Sequence, residues 1–492
     1  MNWDLILQGI YILAVIATSL RIIWDTRSHS KTIAYLMLVI FFPIIGMIIY
    51  FAFGVNYRKR KIYDKKLFQN KDLRSKLEKQ INSRSKDILS DDTNDIDENN
   101  KLVKFLIHET LSPVTANNKV KLLVNGETKF PEVFKAIESA KDHIHVEYYI
   151  FADDEIGCEF VEALIKKAKE GVKVRFIYDD FGSRSIRKKQ VPRLKEAGVE
   201  AFSFYKIKLI AFANRINYRN HRKIIVVDGA TAFVGGINVS DHYVNKRDTG
   251  NDKKEKKKAL FWRDTHLMLQ GPAVAYLQYT FITDWNYCSE STLAPDDHFF
   301  PKHSKIPKSE SKIMQIAASG PDSDLPNIKF SLCQAIHQAE EEILITTPYF
   351  IPGESVMDTI IMAANSGVKV KLLVPAKSDS KIVDAAARSY YTMLLAEGVE
   401  IYLYEKGFIH AKTMVTDKKL SIIGTANMDI RSFDLNFEVN ALVYDEEFAK
   451  ELCDVFEDDL KYSKKIDPEK WMSRPKHIQL IEKTAGLLSP ML

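Results

Sequence analysis

Cysteine is scarce in this chain: the 492 residues hold four, Cys158, Cys288, Cys333 and Cys453, and no two form a Cys-x-x-Cys pair. That excludes the common zinc frameworks and a dense disulfide scaffold, and it fits free thiols in a reducing compartment. No glycine-rich loop of the phosphate-cradling kind is present; Phe233-Val234-Gly235-Gly236 belongs to a different pattern, described below. The formal net charge of +5 is too small to make the whole chain a nucleic-acid binder. Hydrophobic residues at 46% and charged residues at 27% give the balance of a globular chain, long enough for more than one domain.

Charge is missing altogether from residues 33–53, and residues 5–23 carry only Arg21, near the end. Each stretch has about the 20 residues a helix needs to cross a bilayer core. The polar segment from Trp24 to Thr32 separates them. The first stretch lacks the basic leader and small-residue cleavage site of a signal peptide. Both are too continuously apolar for ordinary core helices. The sequence therefore predicts a two-helix transmembrane hairpin, with a kink at Pro43. Arg58-Lys59-Arg60-Lys61 and Lys65-Lys66 follow at once, against only Arg21, Arg27 and Lys31 around the turn. The positive-inside bias then places the residues after Tyr57 in the cytoplasm, with the basic cluster against anionic headgroups. From Lys65 to Asn100 the chain is polar and charged, and reads as a tether ending in an acidic linker.

The remainder repeats itself. His145 to Phe151 is an apolar, β-branched and aromatic run, and Ile343 to Phe350 is its counterpart. Each leads through a helical stretch into Gly-Val-Lys-Val, at Gly171 and Gly367, and then into a strand. A further helix closes at Ala197-Gly198-Val199-Glu200 in one half and Glu397-Gly398-Val399-Glu400 in the other. Alternating strands and helices of this kind predict an α/β layer structure. The first half carries an insertion before its motif, apolar and basic at once (Lys206, Lys208, Leu209, Ile210, Phe212, Arg215), a composition suited to a membrane surface.

The strongest pattern is a spaced motif that occurs twice. His221-Arg222-Lys223, Asp228 and Gly235-Gly236-Ile237-Asn238 form one copy; His410-Ala411-Lys412, Asp417 and Gly424-Thr425-Ala426-Asn427 form the other. His to Asn is 17 residues in both. The apolar tails, Ile224 to Val227 and Thr413 to Thr416, read as strands, so each His and Lys share one face. A phosphodiester needs a nucleophile at phosphorus, an acid for the leaving oxygen and positive charge on the non-bridging oxygens. Two His, two Lys and two Asn supply these without a metal or another cofactor. One active site built from two halves, performing phosphoryl transfer, is the expected result.

The double motif resembles the phospholipase D superfamily, and within it the bacterial cardiolipin synthases. The narrower resemblance rests on Asp179-Asp180-Phe181-Gly182-Ser183, Asn217 to Lys223, Trp262-Arg263-Asp264-Thr265-His266, Thr347-Pro348-Tyr349-Phe350, Arg431 to Glu438 and the terminal Leu487 to Leu492. The hairpin positions Pro43, Gly46, Tyr50 and Phe53-Gly54 also look like that family's membrane segment. The resemblance implies two duplicated phospholipase D-like α/β/α lobes with mixed sheets, behind the hairpin. It implies a bacterial cell-membrane protein, multi-pass, with its catalytic region cytoplasmic, acting on phosphatidylglycerol among anionic lipids and not on nucleic acid. One histidine would attack a phosphatidylglycerol, releasing glycerol, and a second phosphatidylglycerol would take the phosphatidyl group to give cardiolipin. A phospholipase D, or a phosphatidyltransferase with another acceptor, is the alternative, and a non-catalytic lipid scaffold is a more distant one. Under this reading His221, Lys223, His410 and Lys412 are catalytic, Asn238 and Asn427 hold phosphate oxygens, and Asp228 and Asp417 orient the imidazoles.

Glu438 follows His410 by 28 residues, where the superfamily often has a carboxylate touching the histidine; the equivalent first-half position is Thr249. That predicts unequal histidines, with His221 as nucleophile and His410 as acid and base. The expected domains are 1–57 (hairpin), 58–110 (basic segment and linker), 111–300 (first lobe) and 301–492 (second lobe). Lys253 to Lys258 reads equally as a solvated loop or an anionic-lipid contact. His242, His266 and His337 read as structural, and Tyr390, Tyr391 and Phe408 as core, with the lining of an acyl or glycerol pocket as the alternative.

Overall fold

A computed structural model describes residues 3–26, 29–51, 85, 86, 88–90, 96–204, 218–245, 261–289 and 291–489. Several sequence expectations lie outside these residues: the basic cluster 58–66, the acidic run 91–95, the insertion at 206–215, Thr249, the lysine run 253–258 and the last three residues.

Apolar residues dominate Trp3–Asp25, the one described helix long and apolar enough to cross a membrane. Leu5, Leu7, Ile10, Leu13, Ile16 and Leu20 on it are all exposed, so its surface suits lipid. The second apolar stretch is not one straight helix. It runs as His29–Phe41, breaks at Phe42, and resumes as Pro43–Ile49. Proline has no N–H and disfavours helical geometry in the residue before it, and Phe42 has the non-helical angles φ −134° and ψ 67°. The break is a sharp bend: a Cβ on Gly46 would lie 2.5 Å from the backbone of Leu38. Ile22, Val39 and Tyr50 close a small core between these segments.

Among the described residues sixteen strands join in one mixed sheet. From one edge inward come Glu200–Phe204, Lys173–Asp179, His143–Tyr148, Lys223–Val227, Thr231–Gly235, Thr265–Gln270 and Thr115–Val124. The first three pair in parallel and the rest antiparallel. From the other side, inside the short edge strand Ser463–Lys465, come Glu400–Tyr404, Lys369–Pro375, Glu342–Thr346, Thr413–Thr416, Leu420–Gly424, Asn436–Tyr444 and Lys312–Ser319. Their pairings follow the same order, three parallel and then antiparallel. Thr115–Val124 and Lys312–Ser319 meet in the middle with an irregular register.

Helices cover both faces. Glu155–Lys169 and Asn125–Ser139 place Phe160, Leu164, Phe130 and Val133 in one core; Asn327–Gln338, Glu354–Asn365 and Lys381–Ala396 contribute Ile328, Ile360 and Leu394 to another. A third apolar cluster spans both halves, with Leu122, Ile224, Val234 and Leu267 against Ile316, Val415, Ile423 and Val439. Asn100–Thr110, assigned from sequence to the linker, buries Leu102, Val103 and Leu106 in the Ile328 core, so the folded region begins ahead of residue 111.

Candidate active site

Two short strand pairs stitch one half of the sheet to the other, and each His-x-Lys motif begins at the residue after one of them. Arg219–Asn220 runs parallel to Asn436 and Phe437, and Gly407–Ile409 runs parallel to Phe261–Arg263. The next N–H in each continues the stitch: His221 donates to the Phe437 carbonyl (2.9 Å) and His410 to the Arg263 carbonyl (2.7 Å). The residue after each of those carbonyls is an acid. Glu438 Oε2 therefore lies 2.9 Å from His221 Nδ1, and Asp264 Oδ2 lies 2.7 Å from His410 Nδ1.

This corrects the sequence reading of Glu438. Spacing predicts it on His410; the fold puts it on His221, and Asp264 takes the corresponding place on His410. The expected inequality of one histidine with a carboxylate and one without is gone, and with it that basis for naming His221 the nucleophile. The two acids are supported differently. Glu438 also accepts from the Thr425 hydroxyl and, at 3.1 Å, from Asn436 Nδ2. Asp264 accepts from the Thr265 N–H at 2.7 Å and packs on Gly236, where a Cβ would fall 2.1 Å from its oxygen. A carboxylate on Nδ1 fixes each ring's tautomer and leaves Nε2 for chemistry.

Lysine side chains complete the centre. Lys223 Nζ donates to the His221 carbonyl at 2.6 Å, and Lys412 Nζ lies 2.8 and 3.1 Å from the two ring nitrogens of His410. The lysines act on each other and each on the other half's histidine, so the four groups share one pocket of charge. Burial pushes all four toward their neutral forms. His221 falls to about 4, with Glu438 working the other way, and His410 to about 3, with Lys412 adding to the fall. Lys223 drops to about 7 and Lys412 to about 8, again chiefly through burial. For Glu438 burial acts upward, but His221 and Lys223 outweigh it and hold the carboxyl below its usual range. Asp264 is held down in the same way against burial, by Lys412 and His410. An arriving phosphodiester anion supplies the negative charge these lysines lack.

Asn238 and Asn427 are both buried. Asn238 Nδ2 donates to the Tyr243 hydroxyl at 2.7 Å, and that oxygen is 3.5 Å from His410 Nδ1. Asn427 Nδ2 donates to Asp429 Oδ2 at 3.0 Å, and among the described residues its own Oδ1 has no hydrogen-bond partner. Asp228 and Asp417 are elsewhere, which corrects their assignment to the imidazoles. Each ends its strand in a left-handed turn (φ 51° and 52°) and accepts three backbone N–H groups. Asp228 takes those of Lys141, Asp142 and His143; Asp417 takes those of Glu340, Glu341 and Glu342. At ~3.3 Å per residue, the strand between Lys223 and Asp228 puts roughly 16 Å between that carboxylate and the catalytic end. The Asp of each motif is a corner brace.

Aromatic rings frame the histidines unequally. Tyr149 meets His221 edge-on at 4.9 Å, whereas Trp262 (5.4 Å), Tyr243 (5.8 Å) and Phe408 (5.9 Å) surround His410. Phe408, for which the sequence offers core packing or a pocket lining, is both buried and part of this wall. Among the described residues no three His, Cys, Asp or Glu side chains group as metal ligands.

A family model described as "Cardiolipin synthase, PLD-like domain" matches residues 133–252 and again 332–460, one copy around each histidine. The chain belongs to the cardiolipin synthase family. A second model, "Phospholipase_D-nuclease N-terminal", matches residues 10–54. Among family members, the major cardiolipin synthase ClsA of Bacillus subtilis is 40% identical, over 99% of both chains. A cardiolipin synthase of a Geobacillus species is 40% identical, over 99% of this chain and 94% of its own. Cardiolipin synthase 2 of Staphylococcus epidermidis is 36% identical, over 99% and 98%. The crystal structure of a phosphatidylserine synthase from Haemophilus influenzae matches the fold at a TM-score of 0.58, with 14% identity, covering 80% of this chain and all of that one.

Proposed function

We propose that this chain is a membrane-anchored cardiolipin synthase, joining two phosphatidylglycerol molecules through a phosphatidyl-histidine. The observation that carries the reading is the exchange of carboxylates between halves: neither histidine has a carboxylate on its Nδ1 without the other half. Two duplicated phospholipase D-like lobes, 111–300 and 301–492, then form one centre at their seam.

Nε2 of one imidazole attacks the phosphorus of a phosphatidylglycerol while Nε2 of the other protonates the departing glycerol oxygen. The phosphate charge raises the second imidazole's hold on its proton. Lys223 and Lys412 neutralise the non-bridging oxygens, and Asn238 and Asn427 stand behind them. The second imidazole then takes the proton of another phosphatidylglycerol hydroxyl, whose oxygen displaces the first imidazole. One phosphodiester replaces another, so no nucleotide is consumed. Water must be kept from the intermediate, and the aromatic wall around His410 serves that end. Residues 5–23 and 33–53 would hold the centre at the lipid surface as a hairpin, residues after Tyr57 being cytoplasmic.

The test is product analysis with purified full-length protein in phosphatidylglycerol vesicles, without nucleotide. Cardiolipin with an equal amount of glycerol supports the proposal. Phosphatidic acid and glycerol without cardiolipin would make the enzyme a phospholipase.

A further inference from the structure

The reacting groups are matched across the two halves, but the loops over them are not. The strands Lys173–Asp179 and Lys369–Pro375 hold equivalent places, and each is followed by a loop on the side of its own half's histidine. On the His221 side that loop carries Phe181, with the guanidinium groups of Arg184 and Arg219 over its ring at 4.1 and 4.2 Å. Arg219 and Arg431 both act on the Tyr149 hydroxyl, whose ring meets His221. On the His410 side the loop carries Asp379, exposed, accepting from the Tyr349 hydroxyl at 2.8 Å. The Tyr349 ring is 6.3 Å from Phe408, which is 5.9 Å from His410, and the charge of Asp379 reaches Lys412 and the Tyr243 hydroxyl.

These two sides suit different chemistry. Arginines only donate, which fits phosphate oxygens. A polyol donates and accepts at each hydroxyl and presents C–H faces between them. A carboxylate and a phenol beside an aromatic wall match that set.

We propose that Asp379 and Tyr349 form the subsite for the glycerol hydroxyls of the headgroup, beside His410. The inference rests on the cardiolipin synthase reading and deepens it, because it orders the two histidines. The apical oxygen leaves and enters on the side away from the nucleophile. Glycerol on the His410 side therefore makes His410 the acid and base and His221 the nucleophile. The phosphorus–glycerol bond breaks as the phosphorus–nitrogen bond to His221 forms, and the His410 proton goes to the glycerol oxygen. In the second step His410 takes the acceptor hydroxyl proton, the new phosphorus–oxygen bond forms, and the electron pair returns to His221.

The test uses full-length protein in phosphatidylglycerol vesicles, with D379N and Y349F beside the parent. Two transfers are followed: exchange of labelled free glycerol into the lipid, and transfer to ethanol, which has no further hydroxyl to recognise. The expected result is a fall of about tenfold in the glycerol-to-ethanol ratio for D379N, as for loss of one hydrogen bond to a charged group, and a smaller fall for Y349F. Cardiolipin formation follows the glycerol arm. A ratio unchanged in both variants overturns the subsite, including the case in which both transfers fall together through misfolding or weaker membrane contact. Parent protein that forms neither cardiolipin nor exchanged lipid overturns the function beneath it instead.

Discussion

His221 and Glu438 are 217 residues apart in the chain and 2.9 Å apart in the fold, imidazole Nδ1 against carboxylate Oε2. His410 and Asp264 repeat the relationship in the opposite direction at 2.7 Å. Each half supplies one imidazole and the carboxylate that meets the other half's imidazole.

E438Q and D264N should therefore damage the same reaction to a similar degree. An amide keeps the shape but loses the charge that stabilises an imidazolium and can hold the wrong tautomer, an effect of about 10²-fold or more in related carboxylate–histidine pairs. Initial rates of cardiolipin formation check this. Glu438 raises the proton affinity of His221, so E438Q should also move that group's titration to lower pH. Loss in only one of the two variants would contradict the exchange.

Lys223 and Lys412, lowered to about 7 and 8, set a basic limb. kcat/KM, which reports the free enzyme, should fall as pH rises through that interval and cationic grip on phosphate is lost. It should also fall below pH 4, where His221 is protonated. The stability linkage has the opposite sign. Between the folded values and the ordinary lysine value near 10.4, the unfolded chain holds more protons, so these lysines make stability rise with pH while activity falls. Parallel pH series of rate and urea midpoint, with K223M and K412M as references, test the divergence.

D228N and D417N should act on stability. Each removes a charged acceptor shared by three backbone N–H groups, about 1–3 kcal/mol per site, and should lower the melting temperature. The folded fraction should keep kcat within a few-fold of the parent. A catalytic loss of 10²-fold with unchanged melting would restore the imidazole role.

Arg222, the middle residue of the first motif, donates to buried Asp284 and, at 3.3 Å, to the Glu438 carbonyl. R222A leaves Asp284 buried without its cation and should destabilise by roughly 3–5 kcal/mol. R222M/D284L, which removes the guanidinium and the buried carboxyl together, should recover most of that in chemical denaturation.

Much of this was legible in the sequence. The duplicated His-x-Lys spacing pointed to the two histidines and two lysines that the fold brings together, and the apolar run Ile224 to Val227 marked the strand Lys223–Val227. Period-two patterning carries a face but no partner, so the exchange of carboxylates was invisible. Glu438 could be assigned only to the histidine of its own half. Asp264 stood in a family-like segment with no role attached. Its signal was positional: Asp264 precedes His266 as Glu438 precedes Asn440, and those residues pair with Gly235 and Gly424, the glycines of the two motifs. Asp228 and Asp417 were misread because recurrence does not separate catalysis from a turn that the same strand hairpin needs twice. The bend at Phe42 follows from Pro43, but its sharpness depends on Gly46 reaching Leu38, a contact with no sequence signal.

The most direct measurement is capture of the covalent intermediate. Full-length protein mixed with limiting phosphatidylglycerol would be quenched at high pH, where phosphohistidine survives, then digested and analysed by mass spectrometry. The account predicts a phosphatidyl group on the peptide containing His221, with glycerol released in equal amount and the adduct discharged to cardiolipin on adding more lipid. Cardiolipin formed with no modified histidine at any time, or an adduct on His410, would contradict it.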